Sequence, residues 1–281
     1  MALHLSPDPP SRSFKGKTAI VTGAGCAGDG IGNGRAISIM LASEGCDVVC
    51  LDMDLSWATK TAELANSKPG RGTAVAFKGD VTNAEDCEGV VKFALESFGR
   101  LDVLVNNVGV AGAAGTAVEV DMEQWAKSLE INVSSMVLMT KFAVPAMGKN
   151  KGEIKGNIVN MGSVAGLKGG VPHLLYPTAK GAVVNMTRAM AANHAAAGIR
   201  VNCVCPGVSS SKTPLLAGTF LTRTDALHAH DVPEGHVGGG PRGKEEEEFA
   251  GDGGNGVGLR LRGRLPGERP REVDNGRNSA S

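Results

Sequence analysis

Aromatic residues are scarce in this chain, and several other features are absent. Of its 281 residues, seven are Phe, two are Trp and one is Tyr. The 29 basic and 29 acidic residues balance, so no overall positive field draws the chain to a nucleic acid or an anionic membrane. No apolar run reaches the roughly 18 residues that cross a bilayer, and the N-terminal stretch MALHLSPDPPSRS lacks the apolar core of a secretory signal. We therefore expect a cytoplasmic protein with no nucleic-acid and no membrane partner.

Paired cysteine motifs are also missing. The six cysteines form no CxxC pair, and most stand in apolar runs, which favours buried, reduced thiols in an intracellular protein. Cys203 and Cys205 alternate along a predicted strand. The histidines near the C-terminus, His228, His230 and His236, lack regular ligand spacing. We predict no metal site.

The sequence does contain a regular alternation of strand-like and helix-like segments. The strand runs are apolar throughout, which indicates burial on both faces, and helices between them imply right-handed crossovers and a parallel sheet. We predict a Rossmann-type, doubly wound α/β domain, in which ligands bind beyond the carboxyl ends of the strands. The predicted strands are 17–23, 47–52, 72–80, 101–107, 156–163 and 199–207, and the predicted helices are 34–45, 55–67, 84–99, 121–147 and 176–197.

A glycine-rich segment, TGAGCAGDGIGNGRA (22–36), follows the first predicted strand. Glycine there lets the backbone approach a pyrophosphate, and the next helix points its N-terminal N–H groups at the anion. Asp52 ends the second strand, where a carboxylate accepts hydrogen bonds from ribose hydroxyls and repels a 2′-phosphate. Residues 22–34 contain no Lys or Arg, so NAD is favoured over NADP. The alternatives are an ordinary flexible turn and a helix-capping carboxylate.

Two more segments follow strands at the same predicted edge. Asp80 comes after the third strand and NNVG (106–109) after the fourth. Both stand where an adenine and its ribose would lie in a doubly wound fold.

The only tyrosine stands one helical turn before a lysine. Tyr176 and Lys180 are spaced i, i+4 in YPTAK, so a helix places both on one face. A nearby ammonium stabilises the phenolate and lowers the pKa of the phenol, and the helix N-terminus acts more weakly in the same direction. Such a tyrosine takes a proton from an alcohol or returns one to a ketone. An incidental surface pair is the alternative. Two companions strengthen the first interpretation: Ser163 closes the fifth strand, and Asn132 lies in the long helix after the fourth.

The motifs TG…GIG, GDV, NNVG, EINV, MGSVAG, YPTAK and VNCVCPG occur in this order. On them, residues 15–215 resemble the short-chain dehydrogenase/reductase family. The resemblance implies that Tyr176 is the general acid/base, that Lys180 holds the nicotinamide ribose and lowers the tyrosine pKa, and that Ser163 orients the substrate oxygen. It implies that Asn132 positions a water in a proton relay. A hydride would pass between NAD(H) and a secondary alcohol or its ketone.

The resemblance also assigns cofactor-binding residues and a quaternary structure. Homo-oligomers are expected in the family. In the glycine loop this chain departs from the family, with six residues (Ala24–Asp29) instead of three between TG and GIG. The substrate cleft would be lined by Val110, Ala111, Val164, Leu167, His173 and Val208, which favours an apolar or cyclic substrate. The cofactor-binding residues would be Gly23, Gly30, Ile31, Gly32, Asp52, Asp80, Val81, Asn107, Gly109, Tyr176, Lys180, Pro206, Gly207 and Thr213.

Beyond the domain the character of the chain changes. Residues 1–14 predict a flexible arm, and residues 216–281, rich in Gly, Arg, Glu and Pro, predict an atypical, largely disordered tail. The family's last helix and last strand have no counterpart there. We therefore expect an open sheet edge, uncovered apolar surface and a weakened homo-oligomer.

Our hypothesis for this tail is a shifted reading frame, or an unremoved intron, that begins between about residues 208 and 240. We take each Leu to be encoded by CTN and each Arg by CGN. If the codons from Val257 onward are then read one base later, they permit the amino-acid sequence W-D-[FSY]-A-Y-A-A-V-F-L-A-S-D. Those from Val273 to Arg277 permit W-I-T-G-V. Both strings resemble the missing family segments, and sequencing the transcript tests the idea: one continuous frame in independent isolates would contradict it.

Two other functions stay open at this point. One is an NADPH-dependent reductase of ketones or 3-oxoacyl groups. The other is a catalytically silent dinucleotide-binding protein, made so by the altered C-terminus.

Overall fold

The computed structural model describes residues 13–67, 72–169 and 171–207. The predictions for residues 1–12 and 208–281 lie outside these ranges. They include most of the flexible arm, the disordered tail, the missing last helix and strand, and the assignments of Val208 and Thr213.

Within the described residues, six strands form one parallel sheet. They are β1 (Thr18–Thr22), β2 (Asp47–Asp52), β3 (Ala74–Lys78), β4 (Val103–Asn106), β5 (Gly156–Met161) and β6 (Ile199–Val204). Their order is β3-β2-β1-β4-β5-β6, and every neighbouring pair is parallel. The direction of winding reverses between β1 and β4, which is where a doubly wound sheet opens a ligand crevice. The predicted Rossmann-type fold is confirmed.

Helices cover both faces of the sheet. They are α1 (Asn33–Ser43), α2 (Leu55–Asn66), α3 (Ala84–Phe98), α4 (Met122–Leu129), α5 (Ser135–Met147) and α6 (Leu175–His194). Helices α1 and α2 pack on one face, and α3, α5 and α6 pack on the other. Short 3-10 turns occupy Val164–Gly166 and Ala195–Ala197. Among the described residues, no helix has the length and hydropathy of a membrane span.

One predicted helix has a different form. The sequence predicts a continuous helix over 121–147, but a π-helical turn, Glu130–Ser134, separates α4 from α5. A π turn closes with i→i+5 hydrogen bonds and therefore holds one more residue than an α turn. The other predicted segments are present, with ends that differ by a few residues.

Side chains fix where the helices begin and so where the loops lie. Asp54, Asn83 and Asp121 each accept hydrogen bonds from N–H groups in the first turn of α2, α3 and α4. Such caps satisfy donors that have no partner within the helix. Gly99 ends α3 with φ 76°, a left-handed conformation that glycine adopts without strain.

The sheet is packed between two layers of apolar side chains, one on each face. Ile20, Leu104 and Ile158 pack against α3, α5 and α6, whereas Val21 and Val48 pack against α1 and α2. Strand β6 is the outermost strand in the part of the chain that the structure describes. Beside α1, a groove of about 640 Å³ runs over the apolar side chains of β4 and β5 toward β6.

Four of the six cysteines are buried, as the sequence predicts. They are Cys26, Cys46, Cys50 and Cys87, and the remaining two, Cys203 and Cys205, are partly buried near the end of β6.

Candidate active site

The predicted catalytic residues lie together at the carboxyl end of β5. Helix α6 carries Tyr176 and Lys180, and Ser163 follows β5 by two residues. Tyr176 and Ser163 share a side-chain hydrogen bond. The Nζ atom of Lys180 lies 5.8 Å from the centroid of the Tyr176 ring. It donates a 2.9 Å hydrogen bond to the carbonyl oxygen of Met161, and only 2% of the lysine is exposed. One small region thus holds a phenol, a hydroxyl and a buried ammonium.

Burial dominates the titration of these groups. It raises the pKa of Tyr176 above its usual value, and the hydrogen bond with Ser163 opposes that rise. Burial lowers the pKa of Lys180 to about 8, while the thiols of Cys203 and Cys205 act in the opposite direction. The prediction that the pKa of Tyr176 is lowered by Lys180 is therefore wrong in this structure. Removing the phenol from water disfavours the phenolate, and this effect is larger than that of the Ser163 hydrogen bond, which opposes it.

The π-helical turn holds Asn132 beside the lysine. Asn132 is fully buried; its Oδ1 accepts a 3.1 Å hydrogen bond from the N–H of Val110, and its Nδ2 donates to the carbonyl oxygen of Ser128 at 2.9 Å. Gly109 fits between Asn132 and Lys180. A Cβ at that glycine would lie 2.9 Å from the Lys180 Nζ and 3.2 Å from the Asn132 Oδ1, so a side chain there would push the two groups apart.

Asn107 ties the loop after β4 to the end of β1. Its N–H donates to the Thr22 hydroxyl, and its Nδ2 donates to the carbonyl oxygens of Thr22 and Gly23, all at 3.0 Å. Gly23 has φ 58°, which a residue with a side chain rarely adopts. Gly34, in the first turn of α1, packs against the Gly23 carbonyl with no room for a Cβ. Sequence reasoning did not single out Gly34, although its place in the first turn after a glycine loop is typical of close helix–strand packing.

We expect Gly34→Ala to destabilise the fold by about 1–3 kcal/mol, because an added Cβ overlaps the Gly23 carbonyl and the Asn107 amide and forces the backbone to shift. Urea denaturation measures the change. Gly89→Ala is the matched control: it lies within α3, where a Cβ would meet its nearest neighbour, the Phe77 ring, at 3.6 Å. That variant should be neutral or stabilising, since Ala favours a helix more than Gly does. A Gly34→Ala protein as stable as the parent would contradict the packing described above.

The two predicted carboxylates are engaged by the backbone at the ends of β2 and β3. Asp52 is 9% exposed and accepts a 2.8 Å hydrogen bond from the N–H of Gly25. Asp80 accepts hydrogen bonds from the N–H and the hydroxyl of Thr82, both at 2.8 Å. The side chain of Val81 is buried in the core, so only its backbone is available to a ligand.

The remaining predicted residues frame the cleft. Gly30 and Ile31 are exposed in the glycine loop, and Gly32 caps the N-terminus of α1. The carbonyl oxygen of Pro206 accepts a 3.0 Å hydrogen bond from the N–H of Val164, next to Ser163. Gly207 follows as the last described residue.

His173 lies at the surface. Its Nδ1 accepts a 3.0 Å hydrogen bond from the N–H of Gly115. It therefore connects the loop after β4 with the segment that leads into α6. Of the predicted cleft-lining residues, Val110 is 38% and Leu167 is 60% exposed, so apolar side chains are available to a substrate there.

Arg35 is a residue that sequence reasoning missed. It is 1% exposed and lies on the buried face of α1 with Ser38 and Ala42. The spacing i, i+3, i+7 of these three positions is the available signal, because it places the arginine on the inner side of the helix. The guanidinium hydrogen-bonds the hydroxyl of Thr61 and carbonyl oxygens of the glycine loop.

Comparisons with known proteins agree with the fold and with the motifs. A family model described as short chain dehydrogenase matches residues 17–220. The 2-(S)-hydroxypropyl-CoM dehydrogenase 3 of Xanthobacter autotrophicus is 38% identical over 201 residues, which are 72% of this chain and 74% of that protein. The meso-2,3-butanediol dehydrogenase of Serratia marcescens is 37% identical over 195 residues, 69% of this chain and 72% of that protein.

A solved structure shows the same relationship. NAD+-bound xylitol dehydrogenase superposes with a TM-score of 0.62 and 34% identity over 69% of this chain and 71% of that chain. The chain belongs to the short-chain dehydrogenase family. The predicted enzyme class, an NAD(P)-dependent oxidoreductase acting on CH–OH groups, is confirmed by these matches.

Proposed function

We propose that the protein transfers a hydride between NAD(H) and a secondary alcohol or its ketone, with Tyr176 as the general acid/base. The observation that carries this proposal is the cluster at the end of β5, where Tyr176 and Ser163 share a hydrogen bond beside the buried ammonium of Lys180. A phenol and a hydroxyl within hydrogen-bond reach of each other are suited to holding a substrate oxygen and exchanging its proton.

Each residue then has a separate task. Ser163 orients the substrate oxygen, and Tyr176 removes its proton during oxidation or returns one during reduction. Lys180, protonated below a pH of about 8, supplies positive charge beside the phenol and a donor for a ribose hydroxyl. Asn132, fixed at both ends of its amide, holds the start of the path by which the proton reaches solvent. When bound, the nicotinamide nucleotide supplies or accepts the hydride.

The substrate class is supported by the relatives and by the cleft. The two similar enzymes are named for 2-hydroxypropyl-CoM and 2,3-butanediol, which are secondary alcohols. The exposed Val110 and Leu167 favour a substrate with apolar surface. The test is a panel of secondary alcohols and ketones assayed with NAD(H) and NADP(H), following the absorbance of the reduced nicotinamide. Binding of NAD without turnover of any substrate would instead support a catalytically silent protein.

NAD is the cofactor that the glycine loop and Asp52 support. The Asp52 carboxylate ends β2 against the N–H of Gly25, at the edge where an adenosine ribose would lie. Its negative charge would repel the 2′-phosphate of NADP.

We expect Asp52→Asn to raise the ratio of kcat/KM for NADP+ to that for NAD+ by at least about tenfold, because it removes a repulsive charge at short range. An asparagine oxygen still accepts from Gly25, so the loop keeps its anchor. Steady-state kinetics with both cofactors measure the ratio. Asp54→Asn is the control, since it removes a partly exposed carboxylate two residues away and should leave the ratio unchanged. An unaltered ratio in Asp52→Asn would show that another group selects the cofactor.

A further inference from the structure

The buried guanidinium of Arg35 organises the long glycine loop from beneath. Its Nη2 donates to the carbonyl oxygen of Cys26 at 3.1 Å, and its Nη1 donates to the carbonyl oxygens of Gly28, at 3.3 Å, and of Gly30. Its Nε donates to the Thr61 hydroxyl of α2 at 3.1 Å. One side chain thus draws three alternate carbonyl groups of the loop toward the core.

Peptide geometry fixes what the other side of the loop presents. The peptide bonds of the described residues are all trans, and in a trans peptide the N–H points opposite to the carbonyl. With the carbonyls of residues 26, 28 and 30 facing Arg35, the N–H groups of Ala27, Asp29 and Ile31 face away from it. These three residues are exposed, and no hydrogen bond within the described part of the chain uses their N–H groups.

The positive charge of Arg35 also favours an anion on the outer side of the loop. A guanidinium stays protonated in proteins, and among the described residues this one forms no ion pair. Its donors meet only neutral oxygens. A buried positive charge without a carboxylate partner leaves a positive potential on the loop above it, which favours an anion there. If Arg35 served packing alone, an apolar side chain of similar length would avoid the desolvation of this charge.

We propose that Arg35 is a positioning residue that holds residues 26–31 as a preformed pyrophosphate-binding surface, with the N–H groups of Ala27, Asp29 and Ile31 as donors. The inference rests on the proposed function, because it takes the ligand to be a dinucleotide. It also accounts for the six residues between TG and GIG. A loop of that length has many conformations, and the arginine selects the one in which alternate amides face outward, so that less conformational entropy is lost when the ligand binds.

The test compares Arg35→Met with the parent protein, using ADP, adenosine and NAD+ as probes. Arg35→Met keeps the length of the side chain and removes its charge and donors. We expect ADP binding, measured by calorimetry, to weaken by at least about tenfold, while adenosine, measured by competition, changes by less than about twofold because it carries no phosphate. The KM for NAD+ should rise with little change in kcat. Arg35→Lys, which keeps the charge without the fork, should recover only part of the ADP affinity.

Thr61→Val is the matched control for Arg35→Met. It removes the hydroxyl that accepts from the Arg35 Nε and that donates to the carbonyl oxygen of Ala24 at 2.9 Å. The three loop carbonyls of residues 26, 28 and 30 keep their donors, so ADP affinity should stay within about threefold of the parent. A folded Arg35→Met protein that binds ADP as tightly as the parent would overturn the inference.

A second variant keeps the test decisive if Arg35→Met does not fold. Ala27→Pro deletes one outward N–H at an exposed position and leaves Arg35 in place, and Ala27→Ser keeps that N–H. We expect Ala27→Pro to weaken ADP binding by at least about fivefold relative to Ala27→Ser. Equal affinities would overturn the inference. If the parent protein binds neither ADP nor NAD+, the proposed function itself fails, which is a separate result.

Discussion

Replacing Tyr176 by Phe is expected to lower kcat by about 10³-fold, because a positioned proton donor or acceptor contributes about 10²–10⁴-fold to such a reaction. Phenylalanine keeps the ring and therefore the packing of the first turn of α6. The dissociation constant for NAD+ should change little, since the phenol acts on the substrate oxygen. Initial rates on the best alcohol of the panel and a binding titration with NAD+ measure the two quantities.

Thr178→Ala provides the control for Tyr176→Phe. Thr178 is exposed in the same turn of α6, and its hydroxyl donates to the carbonyl oxygen of Leu174. Thr178→Ala therefore measures the effect on activity of disturbing the first turn of the helix without changing the phenol. Its activity should match that of the parent. A Tyr176→Phe protein with more than a tenth of the parent activity would contradict the role proposed for the phenol.

Replacing Lys180 by Met is expected to lower activity by about 10²-fold or more and at the same time to stabilise the fold at neutral pH. The pKa of Lys180 falls from 10.5 to about 8 on folding because burial penalises the ammonium. The unfolded chain therefore binds more protons than the folded chain between pH 8 and 10.5, and stability rises with pH across that window. Below pH 8 the full penalty is present, and methionine removes it.

We expect Lys180→Met to gain about 1–2 kcal/mol in free energy of unfolding at pH 7, less than the full penalty, because the Met161 carbonyl loses its donor. The gain should disappear as pH approaches 10.5. Burial raises the pKa of Cys46 to about 12 and that of Cys50 to about 11, so the unfolded thiols ionise first and stability falls with pH in both proteins. The difference between the two denaturation curves isolates Lys180.

Lys92→Met serves as the control for this pH profile. Lys92 is exposed on α3 and forms a surface ion pair with Glu96. Its removal should change stability by less than about 0.5 kcal/mol and leave the pH profile unaltered. A Lys180→Met protein that is less stable than the parent at pH 7 would mean that the lysine is held by favourable contacts that outweigh its desolvation.

The sheet could be predicted from sequence because its cause is local and repeated. Strand runs such as AIV and VVCL are apolar at every position, and each strand is followed by a helix with one apolar face. The π-helical turn could not be predicted in this way. One extra residue within Glu130–Ser134 leaves the composition helical, and only the three-dimensional structure shows that the hydrogen bonds shift from i→i+4 to i→i+5.

The site was predictable in its members but not in its electrostatics. The motifs place Tyr176, Lys180 and Ser163 together, since their spacing reflects positions at the carboxyl end of β5 and in the first turns of α6. The direction of the tyrosine pKa depends on how far the phenol is withdrawn from water, which tertiary packing decides. Arg35 was missed because arginine is mostly exposed in proteins. The role of a charged residue on a buried helix face can be recognised only when the structure shows which groups accept its hydrogen bonds.

The π-helical turn also means that α4 and α5, within Met122–Met147, do not continue one helix. The side chains of α5 are rotated about the helix axis relative to where a continuous α-helix would place them. Each residue of an α-helix advances the chain by about 100° around the axis, so one extra residue sets α5 about a quarter-turn away from the phase that α4 would impose. Met139 and Ala143, on α5, are fully buried in the phase that the π turn sets. Loss of a single residue within the π turn would turn both away from the sheet and would withdraw Asn132 from Lys180. In this part of the chain, the same π turn therefore sets both the position of Asn132 beside Lys180 and the packing of α5 on the sheet.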